Sequence, residues 1–275
     1  MALSKGPVPE GFHTVTPYLV VAGVGRLIEF LKEAFEAEET IRAADKDGVI
    51  NHAAVRIGDS MVEMGEASGE WKAMPAGLHL YVENADETYR RAMQAGAVSL
   101  YEPQDMDYGD RESGVTDPSG NSWYIATHKA GSQFVPAGLR RVTAGMSVKG
   151  AAEFLEFVVK AFAAEIVFKM AAGGSVGHAK VRIGDSIIEC SEAHGEWGPR
   201  PVTLHLYVPD VDGMYKNAIA AGAKSLSEPK DQFYGERNGG VVDAWGNHWY
   251  IATHTEDLTT EELIARGASQ GESVK

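Results

Sequence analysis

The chain has 275 residues, of which 44% are hydrophobic, and this length and composition suit two packed domains better than one. Its 25 basic and 39 acidic residues give a formal net charge of −14, and a surface of that sign repels nucleic acid and anionic membranes. The N-terminus shows no signal peptide, and the longest apolar run, Tyr18 to Val24, is too short to cross a membrane. Together with a single cysteine, Cys190, these features predict a cytoplasmic protein without a nucleic-acid or membrane partner.

The first predicted elements follow the order β-α-β-β-β. Val15 to Val21 has the composition of a strand, and Arg26 to Phe35 has the apolar spacing of an amphipathic helix. Three strand-like segments follow, at about 39–44, 50–57 and 61–66. These segments form the first predicted module.

The same order then begins again. A strand is followed by a helix that Asn84 opens and Gly96 closes, and three further strands complete the series. The strands of this second module are expected at 77–82, near 99, at 114–116 and at 122–127.

The second half of the chain repeats the first. From His52 to His128 the sequence matches His178 to His254 without a gap, and 45 of the 77 positions are identical. The repeat predicts a first domain at 12–128, a linker at 129–141, a second domain at 142–254 and a tail at 255–275. In the tail, Thr259 and Glu262 form a capping-box pair for one helix, which Gly267 is expected to end.

Two short motifs recur near the ends of these domains. The turn Asp117 to Asn121 (DPSGN) corresponds to Asp243 to Asn247 (DAWGN), and Tyr108 to Gly114 (YGDRESG) corresponds to Tyr234 to Gly240 (YGERNGG). With the module order, they resemble the vicinal oxygen chelate superfamily, in its bacterial glyoxalase/bleomycin-resistance branch. The resemblance implies an α+β fold in which four β-α-β-β-β modules pair into two domains, each with a curved mixed sheet around a cavity. Members include metal-dependent isomerases and lyases, ring-cleaving dioxygenases and metal-free proteins that sequester antibiotics.

The resemblance also places the family's metal ligands on the first and last strands of each module. The matching positions are Thr16, Glu63, Gly77 and Tyr124 in the first unit, and Thr143, Glu189, Thr203 and Tyr250 in the second. Only the two glutamates are strong ligands, so no metal cofactor is favoured. An alternative stays open, in which zinc, nickel, iron or manganese is bound by His52, Glu63 and His79, and likewise by His178, Glu189 and His205.

Strand alternation predicts which side chains face the cavity. It puts His79 and Tyr81 on the face opposite to Leu78 and Leu80, and Tyr124 on the corresponding face of the closing strand. The cavity is therefore expected to be polar and aromatic.

Arg111 and Arg237 allow two interpretations. Their guanidinium groups could bind an anionic group of a ligand, or they could pair with Asp117 and Asp243 to hold the loop.

Two classes of function follow from these residues. The favoured one is a protein that binds a small polar or aromatic molecule, and the alternative is a metal-dependent lyase, isomerase or dioxygenase of the glyoxalase type. The candidate ligand-binding residues are His52, Glu63, His79, Tyr81, Arg111, Tyr124, His178, Glu189, His205, Tyr207, Arg237 and Tyr250. We expect a monomer whose two units form a pseudo-twofold pair.

The two units differ at four predicted cavity positions. Ala54, Met74, Gly77 and Ser122 of the first unit are replaced by Lys180, Arg200, Thr203 and His248 in the second. Because two of the replacements add a cation, the second unit is expected to favour an anionic ligand.

Overall fold

The computed structural model of the protein describes residues 2–69, 71–195 and 197–270. A short strand, β1 (Ala2–Leu3), precedes the first unit. Module 1 consists of β2 (Val15–Val21), α1 (Val24–Phe35), β3 (Glu38–Ala44), β4 (Ile50–Ile57) and β5 (Ser60–Glu66). Module 2 consists of β6 (Gly77–Tyr81), α2 (Ala85–Gln94), β7 (Val98–Asp105), β8 (Asp110–Thr116) and β9 (Ser122–His128). The predicted order of elements is confirmed in both modules.

The second unit repeats this arrangement. Module 3 consists of β10 (Val142–Val148), α3 (Ala151–Phe162), β11 (Glu165–Ala172), β12 (Ser175–Ile183) and β13 (Ser186–Glu192). Module 4 consists of β14 (Thr203–Tyr207), α4 (Val211–Ala220), β15 (Lys224–Asp231), β16 (Glu236–Val242) and β17 (His248–His254).

Each of the two large sheets takes one module from each unit. Strand β2 of module 1 pairs antiparallel with β14 of module 4, which joins modules 1 and 4 into an eight-stranded sheet, sheet I. Strand β6 of module 2 pairs antiparallel with β10 of module 3, which joins modules 2 and 3 into sheet II. The α+β fold of four modules with mixed sheets is therefore confirmed, and the two units are interlaced.

Matching contacts join the two sheets and repeat with the internal symmetry. The Asp59 carboxylate accepts a hydrogen bond from the backbone N–H of Arg141 at 2.9 Å, and the Asp185 carboxylate accepts one from Thr14 at 2.8 Å. These contacts follow β4 and β12, at corresponding turns of modules 1 and 3. The two units thus form the expected pseudo-twofold pair.

Glutamates from distant strands cap the first turns of α1 and α3. Glu66 accepts hydrogen bonds from the backbone N–H groups of Gly23 and Val24, at 2.7 and 3.0 Å. Glu192 makes the matching pair of 2.8 Å bonds in module 3. Because such a carboxylate satisfies N–H groups that have no partner inside the helix, α1 begins at Val24, two residues before its predicted start.

The helices pack on one face of each sheet around one continuous hydrophobic core. Phe35 of α1 lies beside Trp123 of β9, with ring centroids 4.9 Å apart, and Phe162 of α3 lies 4.4 Å from Trp249 of β17. Each pair joins modules that belong to different sheets. The face of each sheet opposite to the helices is called the inner face below.

The tail adds two short elements. Strand β18 (Glu256–Asp257) pairs with β1, and α5 (Thr260–Gln270) follows. The predicted capping box is present, since Thr259 N donates to the Glu262 carboxylate at 2.9 Å and Glu262 N donates to the Thr259 hydroxyl at 3.2 Å. The helix does not end near Gly267 as predicted, because a glycine weakens a helix without terminating it. Over the described parts of the chain, no helix is long and apolar enough to span a membrane.

Candidate functional site

A buried glutamate lies between two histidines on the inner face of sheet I. Glu63 of β5 is 2% exposed. The Nε2 atom of His52 on β4 lies 3.2 Å from Glu63 Oε1, and the Nδ1 atom of His205 on β14 lies 2.9 Å from Glu63 Oε2. Each oxygen of the carboxylate therefore has its own imidazole partner.

Tyr207 and Glu236 extend this cluster. The Tyr207 ring stacks on His205 with centroids 4.3 Å apart, and its hydroxyl donates to Glu236 Oε1 at 3.2 Å. The second oxygen, Glu236 Oε2, lies 3.9 Å from His205 Nε2, and neither atom has a hydrogen-bond partner among the described residues. Such unpaired buried atoms need a partner, and a small polar group is able to bond to both.

Sheet II carries a more highly charged cluster at the corresponding place. His79 of β6 lies between two carboxylates, with Nε2 3.0 Å from Glu112 Oε2 and Nδ1 3.2 Å from Glu189 Oε2. His178 Nε2 and Lys180 Nζ each lie 3.5 Å from Glu189 Oε1. One imidazole thus joins acidic residues of modules 2 and 3.

The charges within these clusters stabilise one another. Burial alone would lower the pKa of His79, but the carboxylates of Glu112 and Glu189 outweigh it and raise that pKa to about 9. Burial would raise the pKa of Glu63, but His205 and His52 outweigh it and lower that pKa to about 2. At neutral pH, His79 is therefore an imidazolium and Glu63 a carboxylate.

Aromatic side chains surround the two clusters. On sheet I, the ring centroid of Trp71 lies 5.4 Å from that of Tyr250 and 6.3 Å from that of Tyr18. On sheet II, Tyr124 lies 5.9 Å from Trp197. The two tryptophans are 43% and 45% exposed, so each inner face combines a buried charged cluster with an aromatic rim that solvent reaches. This region of each inner face is called its recess below.

Comparisons with known proteins identify the family. Residues 11–125 match the family model of the Glyoxalase/Bleomycin resistance protein/Dioxygenase superfamily. A protein of Mycobacterium bovis, described as uncharacterised, is 32% identical over 137 residues, which cover 46% of this chain and 90% of that protein. A Mycobacterium tuberculosis protein, also described as uncharacterised, is equally similar, and the match covers 81% of it. The chain belongs to the glyoxalase/bleomycin resistance protein/dioxygenase superfamily.

A solved structure of this superfamily shows the same fold. The crystal structure of glyoxalase I from Zea mays superimposes with a TM-score of 0.66, over 87% of this chain and 92% of that one. The sequence identity is 14%, so the likeness extends to the fold alone.

The metal-dependent chemistry found in parts of the superfamily requires donors that converge on one point. Within residues 2–69, 71–195 and 197–270, no three or more His, Cys, Asp or Glu side chains are arranged to hold one metal ion. The donors of both clusters instead lie within hydrogen-bond distance of one another, as His52 and His205 do around Glu63. That no metal cofactor is favoured stays a prediction, which the metal content of the purified protein tests.

The alternative that groups His52, Glu63 and His79 in one metal site does not match the positions of these side chains. His205 takes the third place beside Glu63, while His79 belongs to the cluster with Glu189. The cause is the sheet topology, because β6 and β14 each pair with the first strand of a module in the other unit. The alternative metal set within one unit is therefore corrected.

Tyr81 and Tyr207 lie deeper than the cavity surface on which they were expected. They are 2% and 3% exposed. Tyr81 stacks on His79 with ring centroids 4.4 Å apart and donates to Asp110 at 3.2 Å. They support the histidines, and a role in binding a ligand directly stays a prediction.

Arg111 and Arg237 pair with helix residues and not with the expected turn aspartates. Arg111 holds both carboxylate oxygens of Asp86 in α2. Arg237 holds those of Asp212 in α4, at 2.7 and 2.8 Å. Asp117, the expected partner of Arg111, instead accepts from the Trp123 indole at 2.9 Å.

Glu112 and the contact of Lys180 with Glu189 were not predicted from the sequence. Strand β8 was expected only from Gly114, whereas it begins at Asp110. If β8 is extended back through the charged residues of the YGDRESG motif, Glu112 lies two residues before Gly114. Alternate residues of a strand share a face, so Glu112 is then on the same face as Gly114. That extension was the available signal.

Proposed function

We propose that the protein is a monomer that binds a small polar molecule with an aromatic part in the recesses on the inner faces of its sheets. The observation that carries this proposal is the combination, on each sheet, of a buried histidine–carboxylate cluster and an aromatic rim open to solvent. Membership in a superfamily named for glyoxalases, bleomycin-resistance proteins and dioxygenases supports a role in small-molecule chemistry.

The buried histidine–carboxylate cluster of sheet I offers polar contacts to such a molecule. His205 Nε2 and Glu236 Oε2 are both buried and 3.9 Å apart, and they need a polar group between or beside them. A hydroxyl group serves this purpose, because it can donate to the carboxylate oxygen and contact the imidazole nitrogen. The clusters thus fix the orientation of a polar group, as the few polar residues of a small-molecule site do.

The rim offers an apolar surface for the rest of the molecule. Trp71 and Tyr250 on sheet I, and Trp197 and Tyr124 on sheet II, present rings at distances typical of aromatic contacts. A planar ligand can stack on these rings while its polar group contacts the buried histidine–carboxylate cluster. A purely aliphatic or highly charged ligand would use only one of the two parts.

Fluorine NMR of fluorotryptophan-labelled protein tests the proposal. Of the five tryptophans, Trp71 and Trp197 report on the two recesses, whereas Trp123 and Trp249 are fully buried on the helix side and serve as internal controls. The titration uses phenol, benzyl alcohol, catechol and benzoate.

We expect at least one compound to shift the Trp71 or Trp197 signal saturably, with a dissociation constant below about 1 mM, while both control signals stay in place. If no compound shifts either rim signal, or if rim and control signals move together, the proposal is wrong.

A further inference from the structure

The two inner faces differ most at the centre of their sheets. In sheet I, the central strands pair Tyr18 with Thr203. In sheet II, the corresponding register pair is Gly145 with Gly77. Two side chains at the centre of one recess are therefore missing from the other.

Tyr18 fills the centre of the sheet I recess. A Cβ atom added to Gly65 of β5 would lie 2.5 Å from the Tyr18 hydroxyl, so the tyrosine lies directly over this glycine. Its ring also stacks near His52, with centroids 5.9 Å apart, and contacts Trp71 and Tyr250. In sheet II, Ser191 occupies the position of Gly65, and Gly145 occupies that of Tyr18.

Among the described residues, no side-chain atom lies within 4 Å of the position that a Cβ atom of Gly145 would take, at the centre of sheet II. Gly145 lies on a central strand and is nevertheless partly exposed. A Cβ atom added to it would meet only the Gly77 carbonyl oxygen within 4 Å, at 3.7 Å. A Cβ atom on Gly77 would lie 3.3 Å from Gly145 O and 3.8 Å from the Tyr124 ring. The backbone at Gly145 is thus open, next to the buried Gly77 and the Tyr124 ring, and these two glycines are called the glycine floor below.

A cation lies at the edge of this floor. Ser122, the register partner of Gly77, accepts a 2.6 Å hydrogen bond from Arg200 Nη1. Within the described residues, no carboxylate lies close enough to form an ion pair with Arg200. Lys180 of the same recess differs, because its ammonium group already faces Glu189 at 3.5 Å. In sheet I, the place of Arg200 is taken by Met74, which contacts Thr203 at 3.4 Å.

We infer that the sheet II recess binds small aromatic anions selectively, whereas the sheet I recess does not. The carboxylate of the ligand pairs with the Arg200 guanidinium, which donates to Ser122 and also lies beside the Tyr124 side chain, and the ring of the ligand lies on the backbone at Gly145 beside Tyr124 and Trp197. Arginine suits this role because its planar donors match a carboxylate. The inference rests on the proposed function and names the ligand class of one of its two sites.

Benzoate and its neutral analogue benzyl alcohol test the inference, with the Trp197 and Trp71 fluorine signals as readouts. We expect benzoate to shift only the Trp197 signal, with one equivalent bound per chain, and benzyl alcohol to bind there at least about tenfold more weakly. Arg200→Met should weaken benzoate binding about tenfold or more. Arg182→Met is the matched control, because it removes the same charge from sheet II at a surface pair with Glu165 and should leave the affinity within about twofold.

A second variant tests the floor independently of charge. Gly145→Tyr with Ser191→Gly transfers the tyrosine–glycine pair of sheet I into sheet II and should abolish the benzoate shift of Trp197. Near-ultraviolet circular dichroism and the unfolding midpoint confirm that each variant folds. If the double variant does not fold, Arg200→Met alone decides the result.

Three outcomes would overturn the inference while the proposed function stands: unchanged benzoate affinity in Arg200→Met, equal affinity for benzyl alcohol, or a Trp71 shift at the same benzoate concentration. If neither rim signal responds to any compound of the panel, the proposed function fails as well. The two failures are therefore distinguishable.

Discussion

The charged state of His79 should make the stability of the protein fall as the pH rises from 6.5 to 9. The imidazole lies between Glu112 and Glu189 with only 14% of its side chain exposed, and its pKa is raised from 6.5 to about 9. Between these two pH values the folded protein holds a proton on His79 that the unfolded chain has released. The stabilisation is therefore fully present below pH 6.5 and is lost as the pH passes through 9.

The size of the effect follows from the same pKa. A rise from 6.5 to about 9 corresponds to a contribution of about 3 kcal/mol from the protonated imidazole. The free energy of unfolding should thus fall by about 1.4 kcal/mol per pH unit within this window. The pKa of His205 is also raised, because Glu63 outweighs its burial, and it adds a change of the same sign.

Urea unfolding at several pH values, for the wild type and His79→Gln, separates the two histidines. Glutamine keeps a hydrogen-bond donor between the two carboxylates but does not titrate. Between pH 6.5 and 9, the free energy of unfolding should therefore fall less steeply with pH in the variant than in the wild type, and the difference is the contribution of His79. Histidine-detected NMR gives the midpoint for His79 directly and should place it near 9. A midpoint near 6.5, or equal slopes for the two proteins, would refute the argument.

Three further predictions concern structure and metal content. Asp117→Ala should lower the free energy of unfolding by about 3 kcal/mol or more, measured with urea, because the buried carboxylate accepts hydrogen bonds from Ser119, Asn121 and the Trp123 indole. A decrease below about 1 kcal/mol would contradict this prediction. Arg111→Met should lower the free energy of unfolding much less than Asp117→Ala in the same assay, because its ion pair is partly exposed, and a loss as large as that of Asp117→Ala would give it a different role. Protein purified without added metal should contain well below one equivalent of zinc, nickel, iron or manganese by elemental analysis, because the site donors are paired with one another. One or two equivalents that disappear in His79→Ala/His205→Ala would instead support a metal-dependent lyase, isomerase or dioxygenase.

Local patterns in the sequence were sufficient for most of the elements. Strand β4 covers the predicted residues 50–57, because alternation and the following turn are local signals. The start of α2 was predicted because its cap, Asn84, accepts from Glu87 N only three residues away. The start of α1 was missed by two residues because its cap, Glu66, lies on another strand.

The composition of the site depends on pairing that local patterns do not encode. Alternation gives the face on which His52, Glu63 and His79 lie, but it does not give the neighbour of each central strand. The two units are so similar that pairing within a unit and between units satisfy the same pattern. Only the register of β2 with β14 places His205, and not His79, beside Glu63.

The interlaced topology also changes how differences between the units are interpreted. When the differences are grouped by unit, the second unit has both additional cations, Lys180 and Arg200, and was therefore expected to favour an anionic ligand. When the same differences are grouped by sheet, Lys180 and Arg200 lie with Gly77 in the sheet II recess. Thr203, which also belongs to the second unit, lies with Tyr18 in the sheet I recess. A substitution on an inner face therefore lies in the recess of its own module's sheet, whichever unit it belongs to, and the common hydrophobic core holds both sheets. Such a chain can fill one recess with a tyrosine and add cations to the other without losing the fold that either recess requires.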